Sequence, residues 1–388
     1  MPQKQVAVLS FGSEKLTTVI GSRGVNNTFS IKGSGEVDYA GFMDGEFIEP
    51  ETLKFAIALS ISNAENSSGC NISELYISVP AEFCFCVCKN ISTNFNKPRI
   101  IKQRDVDEIF ARAYEFNKYP AHVVINQSSV YFMLDDNTTV SDLIGKTAVK
   151  LGALVSFVLA ERGFVELLNS FVKDLELAHV VYISSELAEA QYLFSEEERE
   201  NYAIMVDCGH LTTSVSLIRG NGLLSLSSFS MGGGHITADL SECLKITFKA
   251  AESLKRKIVL SAEPSLTDSY EIAEGEQITQ INMRNANEIV KARIEEIGRL
   301  ITAALNNAKY ECPDSTKISL TGGGLSYIKG AKDYLSKVLG KPVEVVAPGN
   351  PTMNRPHYSA VLGLLSSALK REEGKDGGMK KLLKKFFR

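Results

Sequence analysis

A strand–turn–strand unit occurs twice in this chain, far apart. Residues 7–24 read AVLSFGSEKLTTVIGSRG, and residues 203–222 read AIMVDCGHLTTSVSLIRGNG. Each is an apolar strand, a Gly-containing turn, a Thr-rich second strand and another Gly turn. Gly12 matches Gly209, and Ser10 falls opposite Asp207. A long unit recurring once argues for a duplicated two-lobed fold over a solenoid of short repeats.

The rest alternates helix and strand, which makes the fold class α/β. Residues 104–119 (RDVDEIFARAYEFNKY) carry Asp107 and Glu108 early and an apolar stripe through Val106, Ile109, Phe110 and Tyr114, the pattern of a helix. Residues 235–260 and 285–310 are long helical stretches. The segment between the two repeats reads as an insertion. The expected divisions are a first lobe from 1–80 and 163–201, an inserted subdomain at 81–162, and a second lobe at 202–367 with 235–318 as its subdomain. A flexible, Gly-containing linker at 368–378 and a terminal helix at 379–388 follow. Cys84, Cys86 and Cys88 alternate with Phe83, Phe85 and Val87, so a strand puts the thiols on one face. That pattern suits small apolar residues in a buried sheet better than a metal site, which needs convergent donors.

With 388 residues the chain can bury two or more cores. Net charge is −4, yet the last ten residues hold five basic side chains and no acidic one, so the body carries −9. An acidic body with a basic tip argues against nucleic-acid binding and for a local anionic target of the tip. No run of eighteen apolar residues is present, so no spanning helix is expected. No apolar leader precedes the first strand, and seven cysteines show no framework spacing, so a reduced, cytosolic setting is expected.

Two motifs carry chemistry. VDCGHLTTS, residues 206–214, is a strand ending in Asp207 followed by Gly209, Thr212 and Thr213. Such a turn can present backbone N–H groups and hydroxyls to a phosphate, with the carboxylate placed to hold a metal-bound water. Asp and Gly also serve turns for backbone reasons, so the motif alone is weak. SLTGGGLSYIKG, residues 319–330, sets Gly322, Gly323 and Gly324 between a strand and a helix. Bare glycines let a flat or anionic ligand approach the backbone, though a tight strand-to-helix turn needs them too. Two such loops on two strand ends of a duplicated chain are more specific than either alone.

The order LSFGSEKL, VDCGHLTTS, MGGGHITADLSECL, AESLKRK and LTGGGLSYIKG resembles the actin/Hsp70/hexokinase superfamily, and within it the FtsA family of bacterial cell-division proteins. MGGGHITADL at 231–240, AESLK at 251–255, PHYSAVLGLL at 356–365 and the terminal amphipathic segment carry the closer likeness. The resemblance covers essentially the whole chain, including 81–162, where FtsA carries its interaction domain. It implies ATP and Mg²⁺ as ligands. Gly12 and Ser13 would lie in a first phosphate hairpin and Asp207, Gly209, Thr212 and Thr213 in a second. Glu252 and Lys255 would flank the nucleoside, and Gly322, Gly323 and Gly324 would face adenosine and the α-phosphate. Asp207 would hold Mg²⁺ through water. The implied partners are other copies in a filament, a C-terminal peptide of the division tubulin FtsZ near residues 235–310, other division proteins through 81–162, and the inner face of the cytoplasmic membrane at the division site.

Where the family has an acid, this chain has Ser10 at the end of the first strand and Ser214 in the second hairpin. His210 and Leu211 replace glycines, and Leu211 is expected to crowd a γ-phosphate. At most a weak ATPase is expected. A PilM-like peptide-binding module is the alternative, and a small-molecule kinase of the same fold a more distant one, since a kinase would keep carboxylates near the phosphates.

The terminal segment MKKLLKKFFR is amphipathic. Met379, Leu382, Leu383, Phe386 and Phe387 form one helical stripe, and Lys380, Lys381, Lys384, Lys385 and Arg388 fill the other side. It is too short to span a bilayer and is expected to lie in the interface of an anionic membrane.

Overall fold

In the computed structural model, residues 5–24, 28–140, 142–175, 177–274 and 277–376 are described. The two repeated units each found a five-stranded sheet of the same order. The first lobe contains β1 (Gln5–Phe11), β2 (Lys15–Arg23), β3 (Phe29–Asp38), the small hairpin β4 (Phe42–Met43) and β5 (Glu46–Phe47), α1 (Pro50–Ser68) and β6 (Glu74–Val79). The insertion follows: β7 (Cys84–Ile100), α2 (Gln103–Ala113), β8 (His122–Met133), β9 (Thr139–Val140) and β10 (Thr147–Glu161). The chain returns through α3 (Arg162–Val172), β11 (His179–Ser184), α4 (Ser185–Leu193) and α5 (Glu196–Glu200).

The second lobe holds β12 (Ala203–Cys208), β13 (Thr213–Arg219), β14 (Gly222–Phe229), α6 (Gly233–Leu244), α7 (Phe248–Lys257), β15 (Ser269–Glu274), β16 (Gln277–Asn282), α8 (Met283–Asn306), β17 (Ile318–Thr321), α9 (Ala331–Leu339) and β18 (Val343–Val345). The last helix is α10 (Ser359–Asp376). The first sheet runs β11-β6-β1-β2-β3 and the second β18-β17-β12-β13-β14. In each, the founding strand pairs antiparallel with its hairpin partner and parallel with its other neighbour.

β1 is buried along nearly its whole length because helices cover both sheet faces. Ala7, Leu9 and Phe11 pack with Leu53, Ile57 and Ile61 of α1. Val6 and Val8 point the other way, onto Leu362 and Leu365 of α10. β12 alternates likewise. Ile204, Val206 and Cys208 join the core under α6, α7 and α8. Ala203 and Met205 join the first-lobe core. α8 starts on Asn282, whose side chain accepts the Asn285 N–H at 3.1 Å. Its buried stripe Ala286, Val290, Ile294, Ile297 and Ile301 has helical spacing and packs into the same core as the second sheet.

The insertion forms its own antiparallel sheet, β7-β10-β8-β9. The two faces of β7 part as alternation predicts. Phe85, Val87 and Ile91 pack under α2, whereas Cys84 and Cys86 join the first-lobe core and Cys88 packs against the second. Phe83, expected with Phe85 and Val87, precedes the strand and instead packs with Cys84 in the first-lobe core. The sheet thus touches both lobes. At β14 the Ser156 hydroxyl donates to the Leu223 carbonyl at 2.5 Å.

α10 requires two corrections. Residues 359–367, expected in the second lobe, pack on the first, where Val361, Leu362, Leu364 and Leu365 are buried against Val8, Val19 and Tyr76. Residues 368–376, expected as a linker, continue the helix. Ala368 and Leu369 are buried in the same cluster, and Glu372 accepts a hydrogen bond from the Tyr76 hydroxyl. Tertiary packing outweighs the low helix propensity of Gly374. Residues 377–388, including the whole amphipathic segment, lie outside the described residues.

Candidate functional site

The repeated hairpins close in the same way. The Gly12 N–H donates to the Lys15 carbonyl at 2.9 Å, and the Gly209 N–H donates to the Thr212 carbonyl at 2.9 Å. They meet over a cleft of about 700 Å³ between the lobes. Ten of the eleven expected ligand-binding residues line it: Gly12, Ser13, Asp207, Gly209, Thr212, Glu252, Lys255, Gly322, Gly323 and Gly324. Thr213 does not. It is fully buried, and its hydroxyl donates to the Met231 carbonyl at 2.6 Å. Ser10 and Ser214 line the cleft as well.

The glycine turn after β17 packs tightly on the second hairpin. Gly322 has φ +81°, and a Cβ there would lie 2.1 Å from Asp207 Oδ1. A Cβ on Gly324 would lie 2.3 Å from the Gly209 carbonyl. The Gly324 N–H donates to the Cys208 carbonyl at 2.7 Å. Only residues without side chains allow that approach. The first N–H groups of α6 are also committed to the hairpin: Gly233 donates to the Gly209 carbonyl at 2.9 Å and Gly234 to that of His210 at 2.7 Å.

Lys255 and Glu252 form a pair on α7. Lys255 Nζ lies 2.6 Å from Glu252 Oε2 and donates to the Gly233 carbonyl at 2.9 Å and Thr237 Oγ1 at 2.8 Å. Burial alone would raise Glu252, but the Lys255 charge, with hydrogen bonds from Lys255, Thr237 and Arg256, outweighs it and holds the carboxyl at about 2.

Asp207 and Glu186 line the cleft, and Glu189 lies on the same helix as Glu186. Asp207, at the end of β12, is pushed up to about 6 by burial. Glu186, in the first turn of α4, is pushed up to about 8 by burial, with the Asp207 charge adding to the rise. Its Oε1 accepts the Ala81 N–H at 2.9 Å, while Oε2 has no hydrogen-bond partner. Glu189, one turn on, is 1% exposed with neither oxygen partnered. Burial raises it well above the usual carboxylate range, and Asp207 and Glu186 raise it further. Sequence reasoning missed Glu186 and Glu189. The available signal was two Glu at i, i+3 in SSELAEA, directly after a strand aimed at the cleft.

These features define a class: a duplicated, two-lobed actin-like fold with a cleft between its lobes. The chain is similar to a chain of the PilM-PilN type IV pilus biogenesis complex (TM-score 0.63, 16% identity, 95% of this chain and 99% of that one). It is also similar to MreB 5 of Spiroplasma citri bound to AMPPNP (0.59, 12%, 97% and 100%) and to the MamK double helical filament (0.53, 15%, 95% and 98%). Residues 204–363 match the family model for "Cell division protein FtsA". The FtsA of Staphylococcus epidermidis (strain ATCC 12228) is 21% identical over 385 residues, 96% of this chain and 81% of that protein. The FtsA of Neisseria meningitidis serogroup B is 22% identical over 386 residues, 95% and 91%. Within the actin-like class, the likeness in sequence is to the FtsA cell-division proteins.

Proposed function

We propose that this chain is an actin-like scaffold of bacterial cell division that binds ATP with Mg²⁺ in the interlobe cleft, assembles with copies of itself, and tethers FtsZ to the inner face of the cytoplasmic membrane. One observation carries the nucleotide reading: two copies of one hairpin face each other across a cleft flanked by Gly322, Gly323 and Gly324. Backbone N–H groups at such turns suit phosphate oxygens. MreB 5, which shares the fold, was solved with AMPPNP.

Asp207 is the carboxylate whose chemistry fits Mg²⁺, since it is half-buried and lines the cleft. Among the described residues no group of three or more His, Cys, Asp or Glu is placed to hold a metal ion directly. Asp207 would hold the ion through water, with phosphate oxygens completing its shell. When bound, the ion supplies neutralisation of phosphate charge. The chain's own residues position the ligand. Lys255 and Glu252 would flank the nucleoside, and the glycine turn would admit the α-phosphate. Turnover is slow or nil, since Ser10 and Ser214 stand where acids could place metal and water.

Self-assembly is supported by likeness to the MamK filament. The FtsZ C-terminal peptide would bind around residues 235–310, other division proteins through 81–162, and Met379–Arg388 would seat on the membrane. Likeness to PilM-PilN favours a second reading, peptide binding by the insertion in a membrane machine. The test mixes the full chain, FtsZ and anionic vesicles with Mg-ATP. Co-sedimentation of FtsZ only when the chain is present supports the scaffold. FtsZ left in the supernatant beside vesicle-bound chain refutes the tethering role.

A further inference from the structure

We propose that the insertion is a bracket fastened to both lobes, so that closing of the lobes on a nucleotide and seating of the insertion are one equilibrium. The coupling rests on the nucleotide reading above; the fastenings do not. The root of the insertion belongs to the first lobe. The chain enters at Phe83 and leaves at Phe164, and their ring centroids lie 4.6 Å apart. Phe47 stacks on both, at 5.1 and 5.8 Å. Phe42 lies 5.3 Å from Phe83, and Phe11 lies 5.9 Å from Phe164. These rings join both ends of the insertion to β1 and to the β4–β5 hairpin, and close packing makes them move together. From that hairpin a strap crosses to the second lobe. Its turn residues Asp44 and Gly45 have φ +53° and +77°, the left-handed pair of a tight hairpin turn. The Asp44 N–H donates to Ser230 Oγ at 2.8 Å. The Ser230 hydroxyl donates in turn to Glu82 Oε1 at 3.3 Å, and the Gly45 N–H donates to Glu82 Oε2 at 3.4 Å. Glu82 immediately precedes Phe83, so strap, root and second lobe meet on one carboxylate.

The sheet of the insertion is seated on the second lobe at the β13–β14 turn. A Cβ on Gly220, at φ +58°, would lie 2.0 Å from the Val130 carbonyl oxygen, so the turn touches the sheet backbone directly. The Asn221 N–H donates to the Ser129 carbonyl at 3.0 Å, and the Ser156 hydroxyl donates to the Leu223 carbonyl at 2.5 Å. The Arg219 guanidinium lies 4.8 Å from the ring centroids of both Tyr131 in the insertion and Tyr202 in the second lobe. Held at both ends, the insertion cannot keep strap and seat while the lobes part. The same closed state is marked at the two repeated hairpins. There Ser13 Oγ accepts the Leu211 N–H at 2.9 Å, and His210 Nδ1 lies 3.1 Å from Glu14 Oε2. A ligand that touches the walls of both lobes favours that closed state. By linkage, each fastening that holds it raises ligand affinity, and the ligand tightens each fastening. The effect acts at a distance, because Ser129, Val130, Ser156, Arg219, Asn221 and Ser230 do not line the cleft.

The test uses the full chain with Mg-AMPPNP, measuring affinity by calorimetry and following the Asp44 and Asn221 amides by hydrogen exchange. The ligand should slow exchange at both amides at least fivefold, and Ser230→Ala should remove that protection at Asp44. Ser156→Ala takes a donor from the seat, and Arg219→Gln removes the cation between the two rings. Each should weaken Mg-AMPPNP binding at least threefold in a chain that still shows a cooperative melting transition. Where Ser156→Ala does not fold, Arg219→Gln decides alone. Binding that leaves Asn221 exchange unchanged, or wild-type affinity in either folded seat variant, overturns the coupling and leaves the nucleotide reading standing. No binding of Mg-AMPPNP or Mg-ADP to the wild-type chain overturns both.

Discussion

Tyr76 on β6 donates its hydroxyl to Glu372 on α10, joining residues 296 positions apart in the core of the first lobe. Tyr76 is fully buried and Glu372 is 3% exposed. Removing the donor takes one hydrogen bond from a buried carboxylate, which costs about 1–3 kcal/mol. Tyr76→Phe should therefore lower the unfolding free energy by about that amount in urea titration. The same substitution should raise amide exchange in the last turns of α10. An unchanged midpoint would mean that the helix end is not held there.

Gly322→Ala should be far more costly than an ordinary surface change. The new methyl group would meet Asp207 Oδ1 at 2.1 Å and the Cys208 carbonyl at 2.4 Å, on a backbone at φ +81°. Strain at such a position is on the order of 1–3 kcal/mol before any clash. The expected outcome is a lower melting temperature together with loss of nucleotide binding. Alanine at Gly349, where a Cβ would meet nothing within 4 Å, is the control and should leave both unchanged.

The duplication was legible because β1 and β12 are central strands, and central strands must be apolar on both faces while their turns keep Gly12 and Gly209. The alternation of Cys84, Cys86 and Cys88 was legible for the same reason: a strand has two faces and the pattern shows both. The C-terminal boundary was not. REEGKD is charged and contains Gly374, and composition could not reveal that Tyr76 waits in another element for Glu372. The buried carboxylates were hidden similarly. Glu186 and Glu189 look like solvent-facing helix residues until α10 covers α4, with Gly363 so close that a Cβ there would lie 2.6 Å from the Glu189 Cα. The Glu14–His210 contact links two turns whose meeting only the closed cleft reveals.

The raised carboxyls make stability fall with rising pH. Glu186 moves from an ordinary 4.5 to about 8 and Asp207 from 3.8 to about 6, both first through burial. In each case the folded state binds the proton more tightly than the unfolded state. Their contribution is therefore complete below about pH 4 and is lost progressively up to about pH 8. The ligand-free protein should melt at lower temperature at pH 8 than at pH 6, through these two groups together with Glu189, which burial raises in the same direction. Glu186→Gln should flatten that slope. Added Mg-nucleotide should restore more stability at pH 8 than at pH 6, because the ion favours the charged forms. A Glu186→Gln protein with the wild-type slope would show that this carboxyl is ordinary.

The terminal segment should bind membranes weakly alone and tightly in arrays. A ten-residue helix would be about 15 Å long, half of a bilayer core of about 30 Å, so on a membrane it would be expected to lie flat. It is too short to hold a helix in water and should fold as it binds. Met379, Leu382, Leu383, Phe386 and Phe387 would contribute at most roughly 7–15 kcal/mol if fully buried, and interfacial burial is partial. Ordering the backbone costs on the order of 10 kcal/mol. The balance is near zero until the five cations add about 1 kcal/mol each at an anionic leaflet. Single tails should therefore release as salt rises, and assembled copies should stay bound through effective concentration. Phe386→Glu or Leu383→Glu should abolish pelleting with anionic vesicles while the melting temperature of the body stays unchanged. Wild-type pelleting by Phe386→Glu would mean that the membrane is held by some other surface.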